Sequence, residues 1–164
     1  MSPAPAIRSA LPVDDEAIWR ILEPVFRAGE TYPQPRDISR ADALAYWRSA
    51  GHAVFVAEQD GTVVGTYYLR DNNKGGGAHV ANCGYVVAGE ASGRGVARAM
   101  CQDSLDRARS RHFAAMQFNF VIASNARAVR LWQACGFAIV GRLPGAFRHP
   151  SLGVVDAYVM YRTL

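Results

Sequence analysis

The 164-residue sequence predicts one domain over residues 1–164, with an α+β fold of mixed α/β type. Two stretches with apolar residues at helical spacing come first, three β-rich runs follow, and helix, strand, helix and two strands complete the chain. Neither an internal repeat nor a low-complexity linker interrupts this order, and the length is enough to bury one hydrophobic core. Helices and strands that are mixed along a chain in this way favour helices packed against a single sheet.

The N-terminal part of the chain predicts a short strand and then a helix. The apolar run at 7–10 suits an opening strand. Acidic residues at 14–16 favour the first turn of a helix, and apolar residues recur at helical spacing from Ala17 to Phe26. Pro24 interrupts this pattern, because proline lacks the backbone N–H that a helix interior uses, so we expect a kink or an early helix end there.

A loop and a second helix follow. Residues 29–35 (GETYPQP) contain two prolines and a glycine, which exclude regular structure. Ser39 is a preferred residue type for a helix N-cap, so the pattern predicts a helix over Arg40–Ala50. The residues of this helix expected to face the core are Ala43, Leu44 and Trp47.

The middle of the chain predicts three consecutive strands. The first two, Ala53–Glu58 and Thr62–Leu69, flank Asp60-Gly61, which is a strong signal for a two-residue hairpin turn. A flexible turn at 71–77 (DNNKGGG) separates them from a third strand over His79–Val87.

The C-terminal half returns to helical spacing and then completes the sheet. Apolar residues recur at helical spacing from Val96 to about Arg111, and a strand is expected over Ala115–Ile122. A short helix over Asn125–Cys135 ends at Gly136, a residue type typical of helix C-termini. Two closing strands are predicted at Phe137–Arg142 and Val154–Arg162.

Composition and charge narrow the class of protein. The chain has 18 Lys and Arg residues against 14 Asp and Glu residues, and this excess of +4 is spread along the sequence. Since neither a basic stripe nor a nucleic-acid-binding motif is present, we expect no nucleic-acid partner. No apolar stretch approaches the ~18 residues of a membrane span, and residues 1–10 lack the apolar segment of a signal peptide. Three cysteines lie in apolar stretches without metal-ligand spacing, which predicts buried thiols, no bound metal and a cytoplasmic location: Cys83, Cys101 and Cys135.

The segment most informative about function is 85–100 (YVVAGEASGRGVARAM), in which a strand ends, a turn of small residues follows and a helix begins. The first N–H groups of a helix lack intrahelical acceptors and can bind a phosphate. Gly93 and Gly95 let such an anion approach the backbone, and Arg94 and Arg98 can add charge-assisted contacts. The turn is neither a P-loop nor a dinucleotide-binding motif, and by itself it also fits a turn that binds nothing.

Two motifs resemble those of the GNAT family of N-acetyltransferases. The phosphate-binding motif of that family, Gln/Arg-x-x-Gly-x-Gly/Ala, is matched at 92–97 (SGRGVA) in every fixed position but the first, where Ser92 stands. The family's second motif, Asn-x-x-Ala-x-x-Leu-Tyr-x-x-x-Gly-Phe, appears at 125–137 as NARAVRLWQACGF. The resemblance covers the chain from about Ile7 to the end and is sharpest over 84–141.

This resemblance implies a splayed mixed sheet of six to seven strands with four flanking helices, and acetyl-CoA as co-substrate. The coenzyme's pyrophosphate would lie on the glycine turn and its pantetheine would pair with the backbone of 85–87 like an additional strand. Val87 would then lie nearest the thioester. Together the turn and the resemblance give the candidate cofactor-binding residues Tyr85, Val86, Val87, Ser92, Gly93, Arg94, Gly95, Val96, Ala97, Arg98, Asn125, Leu131 and Trp132.

The second motif departs from the family at Trp132, which replaces a tyrosine that often acts there as the general acid. An indole N–H cannot transfer a proton near neutral pH, so we expect Trp132 to pack against the cofactor. The segment 118–125 (FNFVIASN) also resembles the FN-x-V-x-x-x-N pattern of the fungal proline-analogue N-acetyltransferases, whose asparagine amides orient the substrate and stabilise the leaving thiolate. That likeness implies catalytic roles for Asn119 and Asn125, and substrate contacts for Asn82 and Asn119, although Asn125 also suits a helix cap.

The acceptor side is less determined by the sequence. Glu30 and Tyr32 lie in the loop that, by resemblance, closes over the acceptor, and they are candidate substrate-binding residues. The identity of the general base stays open among ordered water and the side chains of Glu30, Tyr32, His79, Asp156 and Tyr158.

The sequence as a whole predicts an acetyl-CoA-dependent N-acetyltransferase that acts on a small-molecule amine or an amino acid. The loop at 29–35 is short for holding a protein tail, yet acetylation of protein or peptide amines stays an alternative. A regulatory module that binds acyl-CoA without turnover is a second alternative, which the tryptophan at 132 favours. A homodimer joined through an edge strand is also compatible with the sequence.

Overall fold

The computed structural model describes residues 4–164, so residues 1–3 of the predicted domain lie outside the described residues. One mixed sheet of seven strands is flanked by four α-helices, which confirms the predicted fold class. The strands are β1 (Ala6–Ser9), β2 (Ala53–Gln59), β3 (Thr62–Asp71), β4 (Val80–Val87), β5 (Ala115–Ile122), β6 (Ala138–His149) and β7 (Gly153–Thr163). The helices are α1 (Asp15–Ala28), α2 (Arg40–Trp47), α3 (Val96–Ser110) and α4 (Ala126–Ala134).

The strands follow the order β1-β2-β3-β4-β5-β7-β6, and every neighbouring pair is antiparallel except β4 and β5. These two eight-residue strands are parallel and are joined only at their first residues, Val80 with Ala115 and Ala81 with Met116. Beyond that point they separate, which is the splay that the resemblance implied. A splay of this kind leaves backbone N–H and C=O groups without strand partners inside the sheet.

Helices cover both faces of the sheet, and contacts on β3 show which helix covers which face. The Trp47 indole of α2 donates a 3.0 Å hydrogen bond to the hydroxyl of Thr66, whereas the hydroxyl of Tyr67 contacts Asp103 of α3. Because successive side chains of a strand point to opposite faces, α2 and α3 lie on opposite sides of the sheet. We call these sides the α2 face and the α3 face.

Several predicted turns and caps are confirmed by the structure. Asp60 and Gly61 both have positive φ, 49° and 76°, as a two-residue hairpin turn with matching twist requires. Ser39 caps α2, because its hydroxyl oxygen accepts a 3.0 Å hydrogen bond from the N–H of Asp42.

Two helices differ from their predicted bounds. Pro24 lies inside α1, which continues to Ala28, because burial of Phe26 on the same helix outweighs the hydrogen bond that a proline omits. The second helix ends at Trp47, three residues before the predicted Ala50, since the hydroxyl of Ser49 donates to the carbonyls of Ala45 and Tyr46 and so satisfies the last helical turn.

The last hairpin is longer than the sequence indicated. Strand β6 was expected to end at Arg142 but continues to His149 and pairs with β7 along most of its length. Pro144 is tolerated there because β6 is an edge strand and the pairing is irregular between Leu143 and Phe147. Across residues 4–164, no helix is both long enough and apolar enough to span a membrane.

Candidate functional site

A cleft of about 930 Å³ lies where β4 and β5 separate. One end is formed by the turn before α3 and by α4, and the other end by the loop after α1 together with the α2 face of β3 and β4. The cleft passes through the sheet along the separated strands, and it therefore joins the phosphate-binding candidates to the acceptor candidates.

The glycine turn has the conformation that its sequence indicated. Gly93 and Gly95 have φ values of 82° and 81°, in the left-handed region that L side chains rarely adopt. A Cβ atom built on Gly95 would have no other atom within 4 Å, so glycine is required there by conformation and the space above it is open. The amide groups of the first turn of α3, which begins at Val96, are available to an anion placed in that space.

Arginines from two helices surround the turn. Arg98 lines the cleft as predicted, whereas Arg94 is exposed and does not line it. Arg127, which the sequence reasoning overlooked, reaches from α4 and donates a 2.9 Å hydrogen bond to the hydroxyl of Ser92. Ser92 is the one position at which the motif departs from the family, so a guanidinium from α4 lies at the place where the family has a longer polar side chain. Arg130, one helical turn after Arg127, also lines the cleft.

An aromatic cluster lines the part of the cleft that lies on the α3 face of the sheet. The ring of Trp132 lies 5.0 Å from that of Tyr85 and 5.1 Å from that of Phe118, measured between centroids, and Phe118 stacks on Phe137. The Tyr85 hydroxyl is 2.7 Å from that of Ser104, and burial raises the pKa of Tyr85 well above its usual range. Trp132 is therefore held by packing, and its half-buried ring lines the cleft.

Asn82 joins the two separated strands through its side chain. Its Nδ2 donates a 2.9 Å hydrogen bond to the carbonyl of Gln117, one residue beyond the last paired residues of β4 and β5. Its Oδ1 accepts a 3.1 Å hydrogen bond from Nε of Arg70 on β3. With only 5% of Asn82 exposed, the amide is committed at both ends to the protein.

The other two asparagines also have protein partners. Oδ1 of Asn119 accepts a 2.8 Å hydrogen bond from Gln117 Nε2, so these two side chains lie on the same face of β5, and its Nδ2 donates a 2.6 Å hydrogen bond to Asn72 Oδ1. Asn125 is the N-cap of α4, because its Oδ1 accepts a 3.3 Å hydrogen bond from the N–H of Ala128. Within residues 4–164, Nδ2 of Asn125 has no acceptor, so this group is available to a ligand in the cleft.

Tyr32 reaches the separated strands from the α2 face. Its hydroxyl donates a 3.3 Å hydrogen bond to the carbonyl of Tyr85, and its ring packs on Phe26 and Trp47. A Cβ atom on Gly84 would lie 2.8 Å from the Tyr32 hydroxyl, so glycine is required at 84 for this close approach. Burial raises the pKa of Tyr32 well above its usual range, which makes the hydroxyl a donor near neutral pH and a poor base.

The remaining candidates for a general base lie away from the cleft. Glu30 is exposed and lines a separate cleft of about 430 Å³ with Glu90. His79 is exposed, and Asp156 forms an ion pair with Arg142. No aspartate, glutamate or histidine of the described chain lines the main cleft.

The cleft thus gathers most of the predicted site residues. It is lined by Tyr32, Asn82, Tyr85, Val86, Val87, Ser92, Gly93, Gly95, Val96, Ala97, Arg98, Asn119, Asn125, Leu131 and Trp132, whereas Glu30 and Arg94 lie outside it. Arg70, Arg127 and Arg130 line it without having been predicted. The arginine spacing on α4 was visible in the sequence, but nothing there indicated that β3 brings Arg70 to this cleft.

Comparisons with known proteins show what this chain is similar to. Residues 16–137 match the family model described as "Acetyltransferase (GNAT) family". N-acetyltransferase aca1 of Schizosaccharomyces pombe is 30% identical over 99 residues, and this match spans 60% of the chain but only 47% of that protein.

Two solved structures have similar folds. A GCN5-related N-acetyltransferase from Kribbella flavida is 41% identical, with a TM-score of 0.93 and 98% of each chain covered. The structure of yncA, a putative acetyltransferase from Salmonella typhimurium with its cofactor acetyl-CoA, is 23% identical, with a TM-score of 0.84, and the match covers 99% of this chain and 95% of that one. The second likeness supports the fold alone.

Proposed function

Because the chain belongs to the GNAT family of acetyltransferases, we propose that it transfers the acetyl group of acetyl-CoA to the amine of a small molecule or an amino acid. The observation that carries the proposal is the single cleft through the splayed sheet. It begins at the glycine turn, where an anion can bind, and passes the separated backbone edge of β4. It ends in a lobe lined by Tyr32 and Asn82, which we call the acceptor lobe.

The end of the cleft at the glycine turn suits the pyrophosphate and pantetheine of acetyl-CoA. The glycine turn has open space above Gly95, and the first amides of α3, Arg98 and Arg127 supply donors and positive charge. The separated edge of β4 offers backbone groups to an extended pantetheine, as an added strand would use them. Acetyl-CoA bound in this way supplies an activated acyl thioester between the two ends of the cleft.

The chemistry requires a neutral amine, a polarised carbonyl and a stabilised thiolate. The amine nitrogen attacks the thioester carbonyl, the C–S bond breaks, and the amine loses one proton while the coenzyme leaves as its thiolate. Since no carboxylate or imidazole of the described chain lines the cleft, we assign the proton to ordered water. The amide of Asn119 and the free Nδ2 of Asn125 are the proposed donors to substrate and thiolate, and Trp132 packs against the cofactor.

A small acceptor fits the acceptor lobe better than a protein tail. The loop after α1 is tied at its base, because Arg27 donates a 2.5 Å hydrogen bond to the carbonyl of Arg36 and Arg36 Nε donates a 2.7 Å hydrogen bond to the carbonyl of Arg27. Tyr32 in this loop packs on the core and closes the lobe on one side. A peptide would need an open groove at this position.

Two further expectations belong to this proposal. The free thiols of Cys83, Cys101 and Cys135 fit a reducing compartment, so we propose a cytoplasmic location. Self-association as a homodimer stays a prediction: β6 is an edge strand with exposed apolar side chains such as Val140, and light scattering on purified protein would measure the mass.

The proposed function is tested by thiol release from acetyl-CoA with a panel of amines and amino acids, together with mass spectrometry of the product. We expect an N-acetylated product and one free thiol per acetyl group transferred. Tight CoA binding by calorimetry without turnover of any amine would instead support the acyl-CoA-binding module, and turnover confined to peptide N-termini would support protein acetylation.

A further inference from the structure

Arg70 is a cation in the cleft without an acidic partner. It lies on the α2 face of β3, directly opposite Asn82 in the strand register, and it is half-buried. Within residues 4–164 no carboxylate lies within ion-pair distance of it, although Arg8, Arg48 and Arg107 each pair with one. The half-buried guanidinium donates only its Nε to a protein acceptor, so the contacts of the fold itself do not account for a cation at this position.

The guanidinium of Arg70 is held along one edge only. Its Nε donates to Oδ1 of Asn82, and Asn82 is fixed in turn by its hydrogen bond to the carbonyl of Gln117. The two terminal Nη groups of Arg70 have no hydrogen-bond acceptor in the described part of the chain. A planar guanidinium with a fixed edge and two free Nη groups is the arrangement that binds a carboxylate through paired hydrogen bonds.

The position of Arg70 separates it from the coenzyme phosphates. Asn82 lies near the start of β4, whereas the glycine turn follows the end of that strand. Three residues separate Asn82 from Tyr85, about 10 Å along the strand, and Tyr32 contacts the carbonyl of Tyr85 between the two ends. The other arginines that line the cleft are all at the phosphate end: Arg98, Arg127 and Arg130.

The charge of the acceptor lobe favours an anion. Its walls are the neutral rings of Tyr32, Tyr46 and Tyr68, and burial raises the pKa of Tyr68 far above its usual range. With no aspartate or glutamate of residues 4–164 lining the cleft, Arg70 is the ionised side chain of this lobe. A low-dielectric wall strengthens the attraction between Arg70 and a bound anion.

We propose that Arg70 binds the carboxylate of the acceptor, which is therefore an amino acid or another amine that carries a carboxylate. This inference rests on the proposed function and deepens it by assigning the acceptor class. Arg70 is the residue that determines specificity, and Asn82 is a positioning residue that orients it. The acceptor amine would then point from Arg70 toward the separated strands and the thioester.

Matched amines with and without a carboxylate test this assignment. Proline is compared with pyrrolidine and phenylalanine with phenethylamine, in wild-type protein and in Arg70→Gln. Because one hydrogen bond to a charged group contributes about 1.5–3 kcal/mol, we expect kcat/KM for the carboxylated member to fall about 10- to 100-fold in Arg70→Gln, mainly through KM. The kcat/KM for the uncharged member and the Kd for CoA should stay within about twofold of the wild-type values. Arg70→Lys should restore part of the loss, and Arg109→Gln, which removes an exposed charge on α3, is the matched control.

The outcomes separate this inference from the proposed function. If wild-type protein acetylates both members of each pair equally well, or if Arg70→Gln weakens both members equally, the carboxylate assignment is overturned while the acetyltransferase proposal stands. If wild-type protein acetylates no amine at all, the proposed function fails first. Binding of the carboxylated amine to the CoA-loaded protein, measured by calorimetry, gives a second readout, and its loss in Arg70→Gln alone supports the assignment without turnover.

Discussion

The side-chain amide of Asn82 donates a 2.9 Å hydrogen bond to the carbonyl of Gln117, at the point where β4 and β5 cease to pair. This side-chain hydrogen bond takes the place of the next backbone hydrogen bond between the two strands. It satisfies a carbonyl that the splay would leave without a partner, and it also aligns Arg70. The opening of the cleft and the orientation of Arg70 therefore depend on the same amide.

We expect Asn82→Ala to lower stability as well as activity. The substitution leaves the Gln117 carbonyl without its partner in a partly buried setting, which costs up to about 1–3 kcal/mol. For a chain of this length the corresponding fall in Tm is roughly 2–10 °C, measured by calorimetry or by circular dichroism. Gln102→Ala is the control, because Gln102 is exposed on α3 and its side-chain amide donates a hydrogen bond to Asp106 on the same helix. An unchanged Tm in Asn82→Ala would show that the bridge contributes nothing to stability.

The glycine turn predicts a specific loss of coenzyme affinity in Gly95→Asp. A carboxylate at this place repels a phosphate, and a side chain enters the space above the turn, so the Kd for CoA should rise at least tenfold. Positive φ alone costs an L residue about 1–2 kcal/mol of stability. Gly61→Asp matches that strain, because Gly61 also has positive φ and open space around it but lies in the β2–β3 hairpin. Equal CoA affinity in both variants would show that the glycine turn does not bind the coenzyme phosphates.

The local features of this fold were predictable from the sequence because short-range chemistry determines them. The Asp60-Gly61 hairpin, the Ser39 cap and the turn before α3 each depend on a few neighbouring residues, and the structure confirms them. Pro24 shows the limit of such reasoning, since the burial of the α1 face overrides a local helix breaker.

The contacts that orient the acceptor side could not be derived in the same way. Asn82 and Gln117 are 35 residues apart, and so are Ser92 and Arg127. Each pair meets because of strand register or helix docking, and neither is marked by a motif. The sequence therefore indicated a substrate contact for Asn82, which stays a prediction, but not the engagement of its amide with Arg70 and β5.

The proposed role of Asn119 predicts a loss of kcat without a loss of coenzyme binding. If its amide donates to groups that develop charge in the transition state, Asn119→Ala should lower kcat by about 100-fold with the Kd for CoA unchanged. Asn72→Ala removes only the acceptor that Asn119 Nδ2 contacts and leaves the Asn119 amide in place. It should therefore lower kcat by less than about tenfold. Equal losses of kcat in the two variants, with parallel falls in Tm, would mark the Asn119–Asn72 pair as structural.

The packing of Trp132 predicts that an aromatic ring, and not a proton donor, is needed at this position. Trp132→Phe preserves a ring against Tyr85 and Phe118, so kcat should stay within about threefold of the wild-type value. Trp132→Ala removes that ring, and it should lower Tm and weaken CoA binding together. A 100-fold lower kcat in Trp132→Phe, at unchanged CoA affinity, would assign a direct chemical role to the indole N–H.

The three cysteines should differ sharply in reactivity, and Cys135 should be the reactive one. The neighbouring thiol of Cys101, together with the positive charges of Arg98 and Arg162, lowers the pKa of Cys135 below its usual range. Burial raises the pKa of Cys83 to about 12, and the neighbouring thiol of Cys135 together with burial raises the pKa of Cys101. Because the thiolate is the nucleophile, alkylation of Cys135 should increase with pH and reach half of its maximal rate at a pH below about 8.5, the midpoint of an ordinary thiol.

Iodoacetamide labelling from pH 5 to 9, followed by mass spectrometry of the peptides, measures these rates. Cys135→Ser should abolish labelling of the folded protein below pH 8, because Cys83 and Cys101 are buried. Cys101→Ala removes the neighbouring thiol and should move the midpoint for Cys135 upward, while Arg98 and Arg162 keep it below that of an ordinary thiol. A midpoint near pH 8.5 in the unsubstituted protein would show that the Cys101 contact and the two arginines do not stabilise the thiolate.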